Sequence, residues 1–156
     1  RGGGEAAGGF RIVGPGSVTV VGRTGGDEYE TNLRSHVFCG AFPGDGWSGG
    51  LQAAMRNGCV PVVVQDGVDM PFEGGPLDYS QFSVRVAEAD VPRMFEALAG
   101  IGPEEVRRLQ AGVREAAPRL HYHPASVHGS PKAWAEMQKQ PNAITTLIEA
   151  LRERVA

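Results

Sequence analysis

Only two of the 156 residues are cysteine, too few for a small domain stapled by a disulfide framework. Basic excess is also missing: the formal net charge is −3 with the four histidines counted neutral. A surface for nucleic acid or anionic lipid would carry the opposite balance, so no nucleic-acid partner is expected. No apolar run approaches the ~18 residues of a membrane span, and no segment has the layout of a secretory signal. Asn-X-Ser/Thr acceptors and internal repeats are absent. What is plentiful is glycine, 23 of 156 residues, about twice the usual share. It shows no Gly-X-Y period, which excludes a collagen-like chain. Hydrophobic content of 41% and charged content of 21% are otherwise ordinary for a globular protein. The length suffices for one domain with a core and falls short of two.

Much of the glycine lies in residues 1–17. Such a stretch cannot offset its ordering entropy by burial and reads as a flexible lead-in, a linker from something upstream. The domain proper is expected over 18–156. Val18 to Val21 is a candidate strand, and Asp27 is placed to cap a helix over Glu28 to Arg34. Val37 to Phe42 reads as a buried strand. A helix is expected from Leu51 to Asn57, with Ser48 as N-cap and Gly58 as its stop. Cys59 to Gln65 is apolar on both faces, as a parallel sheet demands, with Pro61 early where a missing donor does least harm. A loop from Asp66 to Pro76 leads to an alternating strand, Phe82 to Val86. Helices follow from Asp90 to Leu98, stopped by Gly100, and from Pro103 to about Ala117, before Pro118. A short helix over Lys132 to Lys139 and an amphipathic one over Ala143 to Val155 complete the chain. The stripe Ile144, Leu147, Ile148 and Leu151 is expected to pack into the core.

Strands alternating with helices indicate an α/β fold, a Rossmann-like parallel sheet flanked by helices. Ligands of such sheets sit outside the carboxyl ends of the strands. Two loops leave those ends. The first, Pro43 to Gly50, is glycine-rich between a strand and a helix, so backbone N–H groups and the positive helix end are open to a diphosphate. Ser48 would add a hydroxyl and Trp47 an apolar wall. The plainer alternative is a tight turn with Trp47 as a core plug. The loop lacks the Gly-Lys-Ser/Thr ending of a P-loop. The second loop holds Asp66, Asp69 and Glu73, either acceptors for ribose or sugar hydroxyls or solvated loop charge. Cys39 and Cys59 fall on neighbouring strands, as a disulfide or as buried thiols. His121, His123 and His128 lack a paired carboxylate or cysteine pattern, so surface histidines are favoured over a metal site. No nucleophile elbow occurs.

Five segments in order are similar to the C-terminal half of the exostosin family of glycosyltransferases. They are Ser35 to Cys39, Pro43 to Ser48, Gly58 to Val64, then Asp66 with Pro71-Phe72-Glu73, and Phe82 to Val84. The Pro43 to Ser48 form resembles green-algal and plant-type members, and Ala143 to Arg152 is similar to the family's closing helix. The resemblance runs from about Tyr29 to the end.

It implies the C-terminal domain of a two-domain GT-B enzyme, holding a nucleotide-sugar donor. Gly44, Asp45, Gly46, Trp47, Ser48, Gly49, Gly50, Gln52, Asp66 and Glu73 would form the donor-binding set, with no catalytic residue assigned. A UDP-sugar is expected ahead of a GDP-sugar, with no metal or further cofactor required. The partners would be a glycan acceptor and an N-terminal half of the fold. The setting would be the Golgi lumen, as a type II membrane protein whose anchor lies outside this chain, in polysaccharide or glycoprotein glycan synthesis. Two departures stand out. Gly50 lies where the family commonly has Arg, and Ala53 where it usually has an acid that resembles the ribose ligand of many GT-B enzymes. Two other readings therefore stay open: a catalytically degenerate binding or scaffold protein, and a free-standing nucleotide-binding domain.

Overall fold

The computed structural model describes residues 27–42, 49–122, 135 and 139–155. The glycine-rich lead-in, the strand expected at Val18 to Val21 and most of the helix expected at Lys132 to Lys139 lie outside them. The first described helix, α1 (Asp27–Ser35), carries acids in its first turn and Arg34 in its last, matching the helix dipole. Arg34 donates to Glu30 and, at 2.8 Å, to Asn57 Oδ1.

Three parallel strands follow: β1 (Phe38–Ala41), β2 (Val60–Val63) and β3 (Val84–Arg85), in the order β1-β2-β3. Phe38 pairs with Val60, and Val62 with Val84. All four residues of β2 are buried, as the apolar run predicts for a strand covered on both faces. Val60 N–H donates to Val37 O, so strand alternation turns the Pro61 nitrogen toward the β3 side. There β3 begins only opposite Val62, and the missing donor leaves no rung unfilled.

Helix α2 (Gly49–Arg56) connects β1 to β2. It ends where expected: Gly58 has φ 74°, Gly58 N–H donates to Met55 O and Cys59 N–H to Ala54 O. This paired closure needs the left-handed region that glycine occupies without strain. It also aims Cys59 at Cys39, and the two form a disulfide with a Cα–Cα distance of 5.8 Å. Leu33 of α1 and Ala54 pack around it.

On one face of the sheet, Leu51 and Met55 of α2 meet Leu109, Val113 and Leu120 of α4 (Pro103–Leu120) over Ala41 and Val63. Phe82 is nearly fully buried among them, a contribution of roughly 1.5–3 kcal/mol. α4 comes close at Gly112, where an added Cβ would lie 2.1 Å from Gln81 O. On the other face Val62, Val64 and Val86 pack against Met94 of α3 (Met94–Ala99).

Four expectations are revised. The third strand is only Val84–Arg85, because Tyr79–Gln81 forms a short 3-10 helix and Ser83 N–H turns back to Tyr79 O. The helix expected from Asp90 is a 3-10 run, Glu88–Arg93, before α3 begins, since Pro92 cannot donate an α-helical bond. α4 continues through Pro118 to Leu120. Leu120 is buried, and His121 N–H caps Pro118 O, which together offset the lost Pro118 donor. Finally, α5 (Ala143–Val155) rests on α4 through the small buried residues Ala143 and Thr146 and an Arg119–Glu149 ion pair. Its apolar stripe is not core: Ile144, Leu147, Ile148 and Leu151 are 37–53% exposed.

Candidate functional site

The carboxyl ends of the strands bring together Ala41 and Phe42, the segment after Val63, and the segment after Arg85. The first turn of α2 opens beside them at Gly49 and Gly50. The opening N–H groups of a helix lack intrahelical acceptors and carry its positive end. Among the described residues, nothing beyond its chain neighbours and its own helix backbone lies within 4 Å of where a Gly49 Cβ would stand. Gly44, Asp45, Gly46, Trp47 and Ser48, the rest of this loop, lie outside the described residues.

Gln52 follows one turn into α2. Its Nε2 donates to Leu120 O at 3.4 Å, and its own carbonyl lies 3.1 Å from His121 Nε2. His121 Nδ1 also faces Ala117 O at 2.5 Å. Gln52 and His121 thus tie α2 to the end of α4. His123 and His128 lie outside the described residues, among which no cluster of metal-ligating side chains occurs.

The loop after β2 is held at both ends. Asp66 and Glu88 exchange reciprocal bonds: each backbone N–H donates to the other's carboxylate at 3.2 Å. This joins the segment after β2 to the segment after β3. Glu73 accepts Met70 N–H at 2.7 Å, and Arg85 Nη2 lies 2.8 and 2.7 Å from its two carboxylate oxygens. Arg85 Nη1 also reaches Val68 O at 3.4 Å. Between these ties Phe72 takes φ 62°, left-handed backbone at a non-glycine residue. Tyr79 donates its hydroxyl to Pro71 O at 3.1 Å and sets its ring 4.6 Å from that of Phe82. Burial, and then the Glu73 charge, push the Tyr79 phenol well above its usual range. Asp69 is exposed.

A cavity of about 630 Å³ runs along β3 and the first half of α4. Glu73, Leu77, Asp78, Ser83, Arg85 and Arg108 are among its walls; Gly49, Gly50, Gln52 and Asp66 are not. Of the candidate residues among those described, then, only Glu73 reaches this cavity, while Gly49, Gly50 and Asp66 lie beyond the strand ends and Gln52 turns to the end of α4. Arg108 is engaged by Glu105, Gln81 Oε1 and Ser80 O, and its hydrogen bonds hold the Glu105 carboxyl below its ordinary range. Sequence reasoning passed over Arg85 and Glu88. The available signal was a charged residue at the outward position of an alternating strand, facing a loop rich in acids.

Comparison with known proteins places this arrangement. The model of the Exostosin GT47 domain matches residues 15–101. A protein of Oryza sativa subsp. japonica described as a probable glucuronosyltransferase is 36% identical over 86 residues, covering 53% of this chain and 19% of its own length. A probable β-1,4-xylosyltransferase of Arabidopsis thaliana is 33% identical over 86 residues, covering 53% and 20% respectively. A probable glucuronoxylan glucuronosyltransferase of the same plant is 31% identical over 91 residues, covering 56% and 19%. The chain spans about a fifth of the length of the curated relatives it matches. The family match takes in β1, α2, β2, the loop that follows and β3, over more than half of the sequence, and the chain belongs to the exostosin GT47 family.

Proposed function

We propose that this chain is the donor-binding portion of a nucleotide-sugar-dependent glycosyltransferase of GT-B architecture. The observation that carries the reading is the family match over residues 15–101, which includes every element meeting at the carboxyl edge of the sheet. In glycosyl transfer the acceptor oxygen attacks the anomeric carbon and the nucleoside diphosphate leaves. The first turn of α2 offers N–H donors and a positive dipole end to that leaving charge. The donor set is Gly44 to Gly50, Gln52, Asp66 and Glu73. A separate N-terminal domain supplies the acceptor side and the base.

Relatives named for glucuronosyl and xylosyl transfer support a UDP-sugar donor and a polysaccharide acceptor. The Cys39–Cys59 disulfide supports an oxidising compartment, and the Golgi lumen, with a type II membrane anchor, fits that requirement. Gly50 and Ala53 favour a second reading, a family member that keeps the fold and binds without catalysis, because both positions lack the side chains the family commonly places there.

Calorimetric titration of UDP and GDP into the full 156-residue chain tests the proposal. Weak UDP binding is expected, lost on Ser48→Ala combined with Gly49→Val, and strengthened by Gly50→Arg with Ala53→Glu. No transfer by this chain alone is expected. Absence of UDP binding in the natural sequence and in the Gly50→Arg/Ala53→Glu variant would overturn the donor reading.

A further inference from the structure

We infer that Arg85 is a positioning residue for the proposed donor site, holding the loop after β2 in shape through Glu73. The inference rests on the donor reading for its function, and on this chain's own geometry for its mechanism. Val86 N–H donates to Val63 O, which fixes the register of β3. Val86 is buried and Arg85, one residue earlier, faces outward. Its guanidinium then folds over the loop. One nitrogen spans both oxygens of Glu73, and the other reaches Val68 O. Glu73 in turn takes the Met70 N–H. A single cation on a strand thereby ties loop positions 68, 70 and 73 to the edge of the sheet.

The loop needs such a tie. Phe72, between Met70 and Glu73, sits at φ 62°, a conformation that costs an L-residue about 1–2 kcal/mol. Left to itself the segment would relax toward ordinary backbone. Leu77 N–H donates to Phe72 O at 3.2 Å, and Met70 and Leu77 are buried on either side, so the strained residue is bracketed by anchors. The Asp66–Glu88 exchange makes a second clasp at the loop's start. The Arg85 side chain is 41% exposed, and a pair of that exposure adds little to global stability. Its effect is therefore local, on the loop that the donor would meet.

The test compares the full natural chain with Arg85→Gln, Glu73→Gln, the double variant and Arg85→Lys. Three quantities are read: UDP affinity, hydrogen exchange at the Met70 amide and the thermal midpoint. Arg85→Gln should leave the midpoint within about 2 °C, speed Met70 exchange roughly tenfold and weaken UDP roughly five- to tenfold. The double variant should be no weaker than Glu73→Gln alone, because Arg85 acts through Glu73. Arg85→Lys should retain most of the affinity. Loss of UDP affinity in Glu73→Gln but not in Arg85→Gln would mean that Glu73 meets the donor without needing Arg85, and would overturn the positioning role. Unchanged Met70 exchange in Arg85→Gln would overturn the clamp itself. If neither the natural chain nor its Gly50→Arg/Ala53→Glu variant takes UDP, the donor reading fails and the donor-positioning role with it. Faster Met70 exchange in Arg85→Gln would then still support the clamp as a holder of the loop.

Discussion

Opening the Cys39–Cys59 disulfide should cost the fold about 3 kcal/mol. The two residues are 20 apart in sequence. Closing a loop of that size removes about 11 cal/mol/K of entropy from the unfolded chain, which is about 3 kcal/mol at 25 °C. The bond joins β1 to the residue before β2 and spans the whole of α2. Cys59 is fully buried and Cys39 is 8% exposed, against Ala54. Replacing both by alanine would also leave a void, adding about 1 kcal/mol. For a chain of this size the total lowers the thermal midpoint by about 10 °C. Circular-dichroism melts of the oxidised protein, the reduced protein and the Cys39→Ala/Cys59→Ala variant separate the two contributions. Reduction keeps both sulfur volumes, so it reports the loop alone. Oxidised and reduced melts that coincide would refute the reasoning, showing that the cross-link brings no net restraint of the unfolded chain.

Gly112→Ala should destabilise by about 1–3 kcal/mol in urea titration, although alanine is the better helix former. The new Cβ would sit 2.1 Å from Gln81 O and 2.9 Å from Gln81 C, and a stabilised variant would contradict that close approach. Ile148→Ser and Leu147→Ser, at positions 44% and 45% exposed, should each cost under about 1 kcal/mol, whereas Phe82→Ala should cost about 3 kcal/mol or more. A core-sized loss at Ile148 would restore the packed stripe. Hydrogen bonds from Ser80 and then Gln81 hold the Asp78 carboxyl below its ordinary range. Its folded value is depressed, so its contribution is present above the unfolded carboxyl range and is lost as pH falls through the folded value. The difference in thermal midpoint between the natural chain and Asp78→Asn should therefore shrink below about pH 4; a difference that stays constant into acid would count against Asp78 as the carboxylate that accepts the Ser80 N–H at the start of the 3-10 helix.

Local chemistry made much of the scaffold legible. The unbroken apolar run at Val60 to Val64 needs cover on both faces and so announces a central parallel strand. Gly58 closes α2 because its left-handed backbone satisfies the last carbonyls with little strain, while Gly100 ends α3 in ordinary helical backbone, its N–H turning back to Glu96 O and Ala97 O. Pro103 with Glu104 and Glu105 opens α4. Pro118 misled, since its cost is local while the burial that outweighs it, at Leu120, depends on α2. The cap of α5 was also passed over: Asn142 Oδ1 accepts from the N–H groups of Ile144 and Thr145, a short-range pattern that sequence does carry.

By itself, then, the sequence determined the α/β alternation, the central strand, the end of α2 at Gly58, the start of α4 at Pro103 and the family, because each rests on residue order within a few positions or on motifs in a row. Tertiary structure decided the rest. Whether Cys39 and Cys59 join depends on the α2 turn bringing two strands into register. Whether the α5 stripe is buried depends on which small residues meet α4. Whether Glu73 stands free or is held depends on Arg85, 12 residues away in sequence and 2.7 Å away in space. Charge and hydrogen-bond partners are set by distance across the fold, and residue order within a segment does not record it.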